Sequence, residues 1–160
     1  MSPCPHRPRA DAPPTAALPK LEQLYSPEEA AMLQVVRHVF AAYGPARLPG
    51  LRMPPEAARD LPGGAGTFGI LADCVHAMRL ARRSTFWFSN PLCRACAGRV
   101  TPHERQFMAA LRHARRGDPD LAGRHATLLC EANDCGPFLA RLACLPQESS
   151  GRVPTRPSAN

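Results

Sequence analysis

The sequence lacks most of what announces a common chemistry. It has no His-Glu-x-x-His, no Ser-His-Asp order and no helix with paired carboxylates, and its thirteen acids are scattered, many at helix starts where capping accounts for them. That points to a binding or regulatory module rather than an enzyme. Apolar runs of membrane-spanning length are missing, and Met1-Ser-Pro-Cys-Pro-His-Arg-Pro-Arg9 has no apolar signal core, so the expectation is a cytoplasmic protein that does not enter a membrane. Runs of alternating polarity are missing as well. The chain therefore reads as all α, and a C-x-x-C motif in it lacks the strand-to-helix junction that a thioredoxin-like site requires.

Lysine is nearly absent: of the twenty basic residues only Lys20 is not arginine, and the formal net charge is +7. Arginine's planar fork suits phosphate, carboxylate and nucleic-acid contact, but Arg, Ala, Pro and Gly are also the residues of GC-rich codons, and no run of five like charges occurs. The bias alone defines no site. Large apolar residues are scarce at both ends, where proline, serine and arginine dominate. Residues 1–24 and 146–160 are expected to be disordered tails around a helical domain at 25–145, because such segments bury too little surface to offset the cost of ordering them.

What is present within 25–145 is a series of helix signals. Ser26-Pro-Glu-Glu29 is a capping box with proline in the first turn, and Gly44-Pro45 is a stop, which predicts a helix over 27–43. Its stripe is Met32, Val35, Val36, Val39, Phe40 and Tyr43, with Gln34, Arg37 and His38 away from the centre. Residues 44–66 are crowded with Pro and Gly and read as irregular. Pro62-Gly-Gly-Ala-Gly-Thr67 is no phosphate loop, since no lysine follows and no apolar strand leads in. A second helix, apolar over much of its circumference, is predicted for 67–83, with Cys74 as a small core residue. Phe86-Trp87-Phe88 reads as an extended anchor into the core.

Thr101-Pro-His-Glu104 is another capping box and opens a helix over 102–116, with Phe107, Met108, Leu111 and Ala114 inward. Asp118-Pro119 starts a helix over 119–132 with Leu121, His125, Leu128 and Leu129 inward, and Gly136-Pro137 opens a short last helix. The prediction is a bundle of about five helices.

Seven cysteines remain to be explained, an odd number that fits poorly with a disulfide framework. Cys93-x-x-Cys96, followed by Gly98, can present two thiols from one tight turn. With Cys130 and Cys135 it supplies four thiolates, enough for a structural zinc site, with His103 or His125 as substitute ligands. The same set would suit an iron–sulfur cluster. Cys4 lies in the predicted arm and has no expected part in the fold.

Three functions follow as expectations. The first is a small binding or regulatory protein, with a protein partner, tied by cysteine-ligated zinc. The second is a helix-turn-helix-like DNA-binding regulator using Arg112, Arg115, Arg116 and Arg124 around the junction of the paired helices. The third is a thiol or iron–sulfur redox protein. The segment from Asn90 to Leu145, with its Pro-x-Cys, its Glu-started helix, its Arg-Arg-Gly-Asp and its Leu-rich end, resembles small helical proteins of high-GC proteobacteria. That resemblance implies a bacterial source and no particular function.

Overall fold

The computed structural model of the protein describes residues 18–43 and 61–148. They form α1 (Leu21–Leu24), α2 (Pro27–Tyr43), α3 (Gly64–Ala81), α4 (Arg94–Ala97), α5 (Pro102–Arg115), α6 (Pro119–Leu129) and α7 (Gly136–Leu142). No strand occurs among the described residues, and the one isolated β-bridge joins Lys20 to Arg99. The architecture is the expected small all-α bundle. The five longer helices are those the sequence predicts, and α1 and α4 are additional single turns.

The caps form as their residue types require. Ser26 N–H donates to Glu29 Oε2 at 3.0 Å while Glu29 N–H donates to Ser26 Oγ at 3.2 Å, and Thr101 and Glu104 make the same reciprocal pair. Asp118 Oδ1 accepts from Leu121 N–H at 3.0 Å to open α6. Gly117, at φ +73°, supplies the left-handed residue that lets the chain reverse between α5 and α6.

α2 buries Met32, Leu33, Val35, Val36, Val39 and Phe40 as one stripe, while Tyr43 at its end stays exposed. It packs on α3, whose Leu71, Cys74, Val75 and Met78 are buried. α5 and α6 form the most intimate pair, and α7 closes the bundle with Phe138 against Phe107 at 5.3 Å between ring centroids. Phe86 is buried and stacks on Phe40 at 4.1 Å, so the aromatic run does anchor its loop into the core.

Several expectations are corrected. α3 begins at Gly64, so the glycine run is not wholly irregular; Gly63 caps it at φ +78°, where a Cβ would lie 2.8 Å from Thr67 Oγ1. α6 ends at Leu129 and buries Ala122, Ala126 and Leu129, whereas Leu128 is 64% exposed. The inward face is rotated from the predicted one because two alanines let α6 approach α5 closely.

The domain is also longer than 25–145. Residues 18–21 lie along the cysteine turn, with Leu21 N–H donating to Gly98 O at 2.9 Å and Val100 N–H to Pro19 O at 3.0 Å. At the other end Arg115 Nε donates to Pro146 O and Glu148 N–H to Arg115 O, each at 3.0 Å. Backbone pairing holds these segments where side-chain burial alone would not. The rest of the predicted tails, including Cys4, lies outside the described residues.

Candidate functional site

The cysteine turn is built from its backbone outward. Asn90 Oδ1 accepts from Leu92 N–H at 2.9 Å and Asn90 O from Cys93 N–H at 3.1 Å, which folds Pro91-Leu92 into a tight reversal. Cys93 O then accepts from Cys96 N–H at 2.9 Å and Ala97 N–H at 2.8 Å, forming the single turn α4. Both thiols are half-buried, and their Sγ atoms are 2.7 Å apart.

The turn is held from beneath by a buried ion pair. Arg37 and Glu104 have fully buried side chains and meet through Nε–Oε1 at 2.7 Å and Nη2–Oε2 at 3.2 Å. The rest of the guanidinium reaches the carbonyls that end the cysteine turn, Ala97 O at 2.7 Å and Arg99 O at 2.5 Å. Glu104 also accepts from Ser89 N–H at 2.9 Å and Thr101 N–H at 2.7 Å. Every strong donor and acceptor in this cluster has a partner, the condition under which a buried charge pair is tolerable. α2, α5 and the loop on both sides of the cysteines converge on one fork.

The other cysteines stand apart from this chemistry. Cys74 is buried, and desolvation pushes its thiol up to about 12, with the Asp73 charge adding to the effect. Cys130 is buried and pushed up to about 11, again first by desolvation and then by Cys135. These two are protonated core thiols with little nucleophilic character. Cys130 and Cys135 bracket a loop in which Glu131 and Ala132 both have left-handed backbones, at φ 58° and 59°. Cys135 Sγ approaches Thr127 Oγ1 at 3.9 Å.

The zinc set expected from spacing is not assembled. Among the described residues no group of three or more His, Cys, Asp or Glu side chains is placed to hold a metal ion, so Cys93 and Cys96 are not joined by Cys130 and Cys135. The substitute histidines are engaged elsewhere. His103 Nδ1 accepts from Trp87 N–H at 2.9 Å and its Nε2 lies 3.1 Å from Arg82; burial first, and the Arg82 charge second, hold its pKa down and keep it neutral. His125 Nδ1 lies 2.8 Å from Gln106 Oε1, and its ring stacks on His113 at 5.4 Å.

The predicted nucleic-acid face is largely engaged in ion pairs, and one of its four arginines, Arg115, is buried. Arg112 Nε donates to Glu29 Oε1 at 2.6 Å, and its guanidinium lies over the Tyr25 ring. Arg115 is buried and pairs with Glu28 and Glu148, and Arg116 pairs with Glu148 at 3.0 Å. Of the four arginines named from sequence, Arg124 alone is exposed without an ion pair among the described residues. Three of the four cations are already matched by carboxylates, which reduces what this surface offers to a phosphate backbone.

Spacing finds Cys93 and Cys96 but misses Arg37 and reads Glu104 only as a cap. A partial signal for Arg37 exists: it stands four residues after Leu33, at the edge of the apolar stripe rather than opposite it, and the structure buries it there.

The described residues define a small helical bundle presenting two adjacent thiols on a clamped surface turn, and no described helix is long and apolar enough to cross a membrane. Comparisons with protein-family models, curated proteins and solved structures find no match. The functional reading therefore comes from the chain's own residues.

Proposed function

We propose that the protein is a small cytoplasmic regulatory protein whose Cys93/Cys96 pair is a thiol–disulfide switch. The observation that carries this reading is the sulfur–sulfur distance of 2.7 Å. Two thiolates sharing one tetrahedral zinc at Zn–S of about 2.3 Å lie about 3.8 Å apart, so the pair is set closer than metal sharing requires. Direct sulfur pairing needs a further approach from 2.7 Å to a covalent distance of about 2.0 Å.

The reaction is an exchange with a low-molecular-weight disulfide. One thiolate of the pair attacks a sulfur of the partner disulfide, forming a mixed disulfide and releasing the first thiol. The second cysteine, deprotonated, then attacks the protein-side sulfur, closing the Cys93–Cys96 bond and releasing the second thiol. The pair loses two electrons and two protons, and the partner disulfide is reduced to two thiols. Reduction by excess thiol runs the same steps backwards.

Metal analysis of the full chain purified under reducing, anaerobic conditions tests the assignment. The expected result is less zinc or iron than would fill one site, with both thiols reactive toward an alkylating agent. Stoichiometric metal that Cys93→Ser or Cys96→Ser releases would replace the switch with a metal site.

A further inference from the structure

A cleft of about 330 Å³ opens between the C-terminal ends of α2 and α3 and the aromatic segment that follows α3. Its apolar side is made of Phe40, Tyr43, Phe86 and Phe88, with the Phe40 ring 4.1 Å from Phe86 and 5.6 Å from Phe88. Its polar side carries Arg79, Arg82 and Arg83, and no acid is among its lining residues. Three cations around one apolar recess repel one another and have a reason to be there only if something offsets them.

Neighbouring carboxylates offset them in part. Glu131 pairs with Arg82 at 3.3 Å, but its oxygens are also taken by the N–H groups of Arg83 and Ser84 at 3.0 and 3.1 Å. The guanidinium groups of Arg79 and Arg83 have no ion pair among the described residues, and Arg79 lies over the Tyr43 ring at 4.3 Å. Arg82 adds a second, independent sign. Its side chain is only 8% exposed, and its Nε is buried with no hydrogen-bond partner among the described residues. A buried, unmatched guanidinium N–H is costly, and the rest of the group is held by Leu129 O at 2.6 Å and Ser84 Oγ at 2.8 Å, so Arg82 contributes a fixed, incompletely satisfied positive charge at the wall of the recess.

We infer that this cleft binds a small organic anion with a planar ring, the ring stacking on the aromatic wall and the phosphate or carboxylate group held by Arg79 and Arg83 over the field of Arg82. The volume is near the lower end for small-molecule sites and fits a ring with one anionic substituent. Arg79, exposed and lying over the Tyr43 ring, suits such a ligand, because one side chain offers both stacking and paired donors. The site is separate from the cysteine turn and does not depend on its redox reading.

Calorimetric titration of the full chain with adenosine monophosphate, benzoate and inorganic phosphate tests the inference. The expected result is saturable, salt-sensitive binding of at least one of the two ring-bearing anions, about tenfold tighter than inorganic phosphate, the gain expected from one stacking contact. Which of the two binds better distinguishes a phosphate from a carboxylate ligand. Arg79→Gln and Arg83→Gln, both at exposed positions, should each weaken binding about tenfold while leaving the denaturation midpoint unchanged. The inference is overturned if neither ring-bearing anion saturates, if inorganic phosphate binds as tightly as both, or if the two variants bind like the parent.

Discussion

Replacing Arg37 by alanine should both destabilise the protein and loosen its cysteine turn. The substitution removes the whole fork: Glu104 loses its two contacts at 2.7 and 3.2 Å, Ala97 O loses its donor, and Arg99 O loses one of two. Glu104 keeps the Ser89 and Thr101 N–H groups, which limits the cost of its uncompensated charge. Removing one partner of a buried pair typically costs about 3–5 kcal/mol, and Ala97 O is also left without a donor, while Arg99 O keeps Ser89 Oγ at 2.9 Å. That is a large share of the stability of about 5–15 kcal/mol expected for a domain. Urea denaturation of the parent, Arg37→Ala and Arg37→Lys reads the cost. Lysine should recover little, because a point charge cannot span a carboxylate and two carbonyls. Alkylation of Cys93 and Cys96 should accelerate in both variants under native conditions, since the turn they sit on loses its anchor. A midpoint shift under about 0.5 kcal/mol, as for an ordinary surface site, would refute the clamp. So would an unchanged alkylation rate.

Thr101→Ala should cost about 1–2 kcal/mol by urea denaturation, since Thr101 Oγ1 both caps Glu104 N–H at 3.2 Å and donates to Trp87 O at 2.7 Å. Ala132→Gly should raise stability by roughly 1 kcal/mol, because it relieves a left-handed alanine at φ 59°. A pH titration of stability should show Glu131: hydrogen bonds from the Ser84 side chain and backbone hold its carboxyl down to about 2, so its stabilisation is complete above the unfolded value near 4.5 and fades as pH falls toward 2. Glu131→Gln should remove that part of the acid limb. His103 acts in the same direction at higher pH. Burial and Arg82 depress it below 6.5, so stability is lost as pH falls from the unfolded pKa through the folded one, and His103→Gln should flatten that step.

Much of the bundle was legible in the sequence because its helix starts are written in short-range chemistry. Ser26 with Glu29, Thr101 with Glu104, and Asp118 before Pro119 act within three residues, and each forms as its residue types demand. The face of α6 was less legible: Leu121 and Leu128 are the larger apolar residues, but close approach to α5 selects Ala122 and Ala126. The strap at 18–21 was invisible to side-chain patterning because it is fixed by backbone hydrogen bonds to 98–100. At the site, the Cys93/Cys96 spacing identified the turn, but it could not say which distant cysteines share its neighbourhood. Cys130 sits on another helix end, desolvated in the core. The arginines around the α5–α6 junction looked like an exposed cationic face because their partners, Glu28, Glu29 and Glu148, are far away in sequence.

The central claim, that Cys93 and Cys96 pair with each other, is tested most directly by redox titration followed by peptide mapping. The full chain is equilibrated with glutathione buffers of increasing oxidation, free thiols are blocked, and the protein is digested with trypsin without reduction. Arg94 lies between the two cysteines, so cleavage there separates Ser84–Arg94 from Ala95–Arg99 unless a disulfide joins them. The account predicts that this joined species, two hydrogens lighter than its parts, appears before any other disulfide and disappears with excess thiol. Persistence of two separately blocked peptides under oxidising buffer, or preferential pairing of either cysteine with a different one, would contradict it.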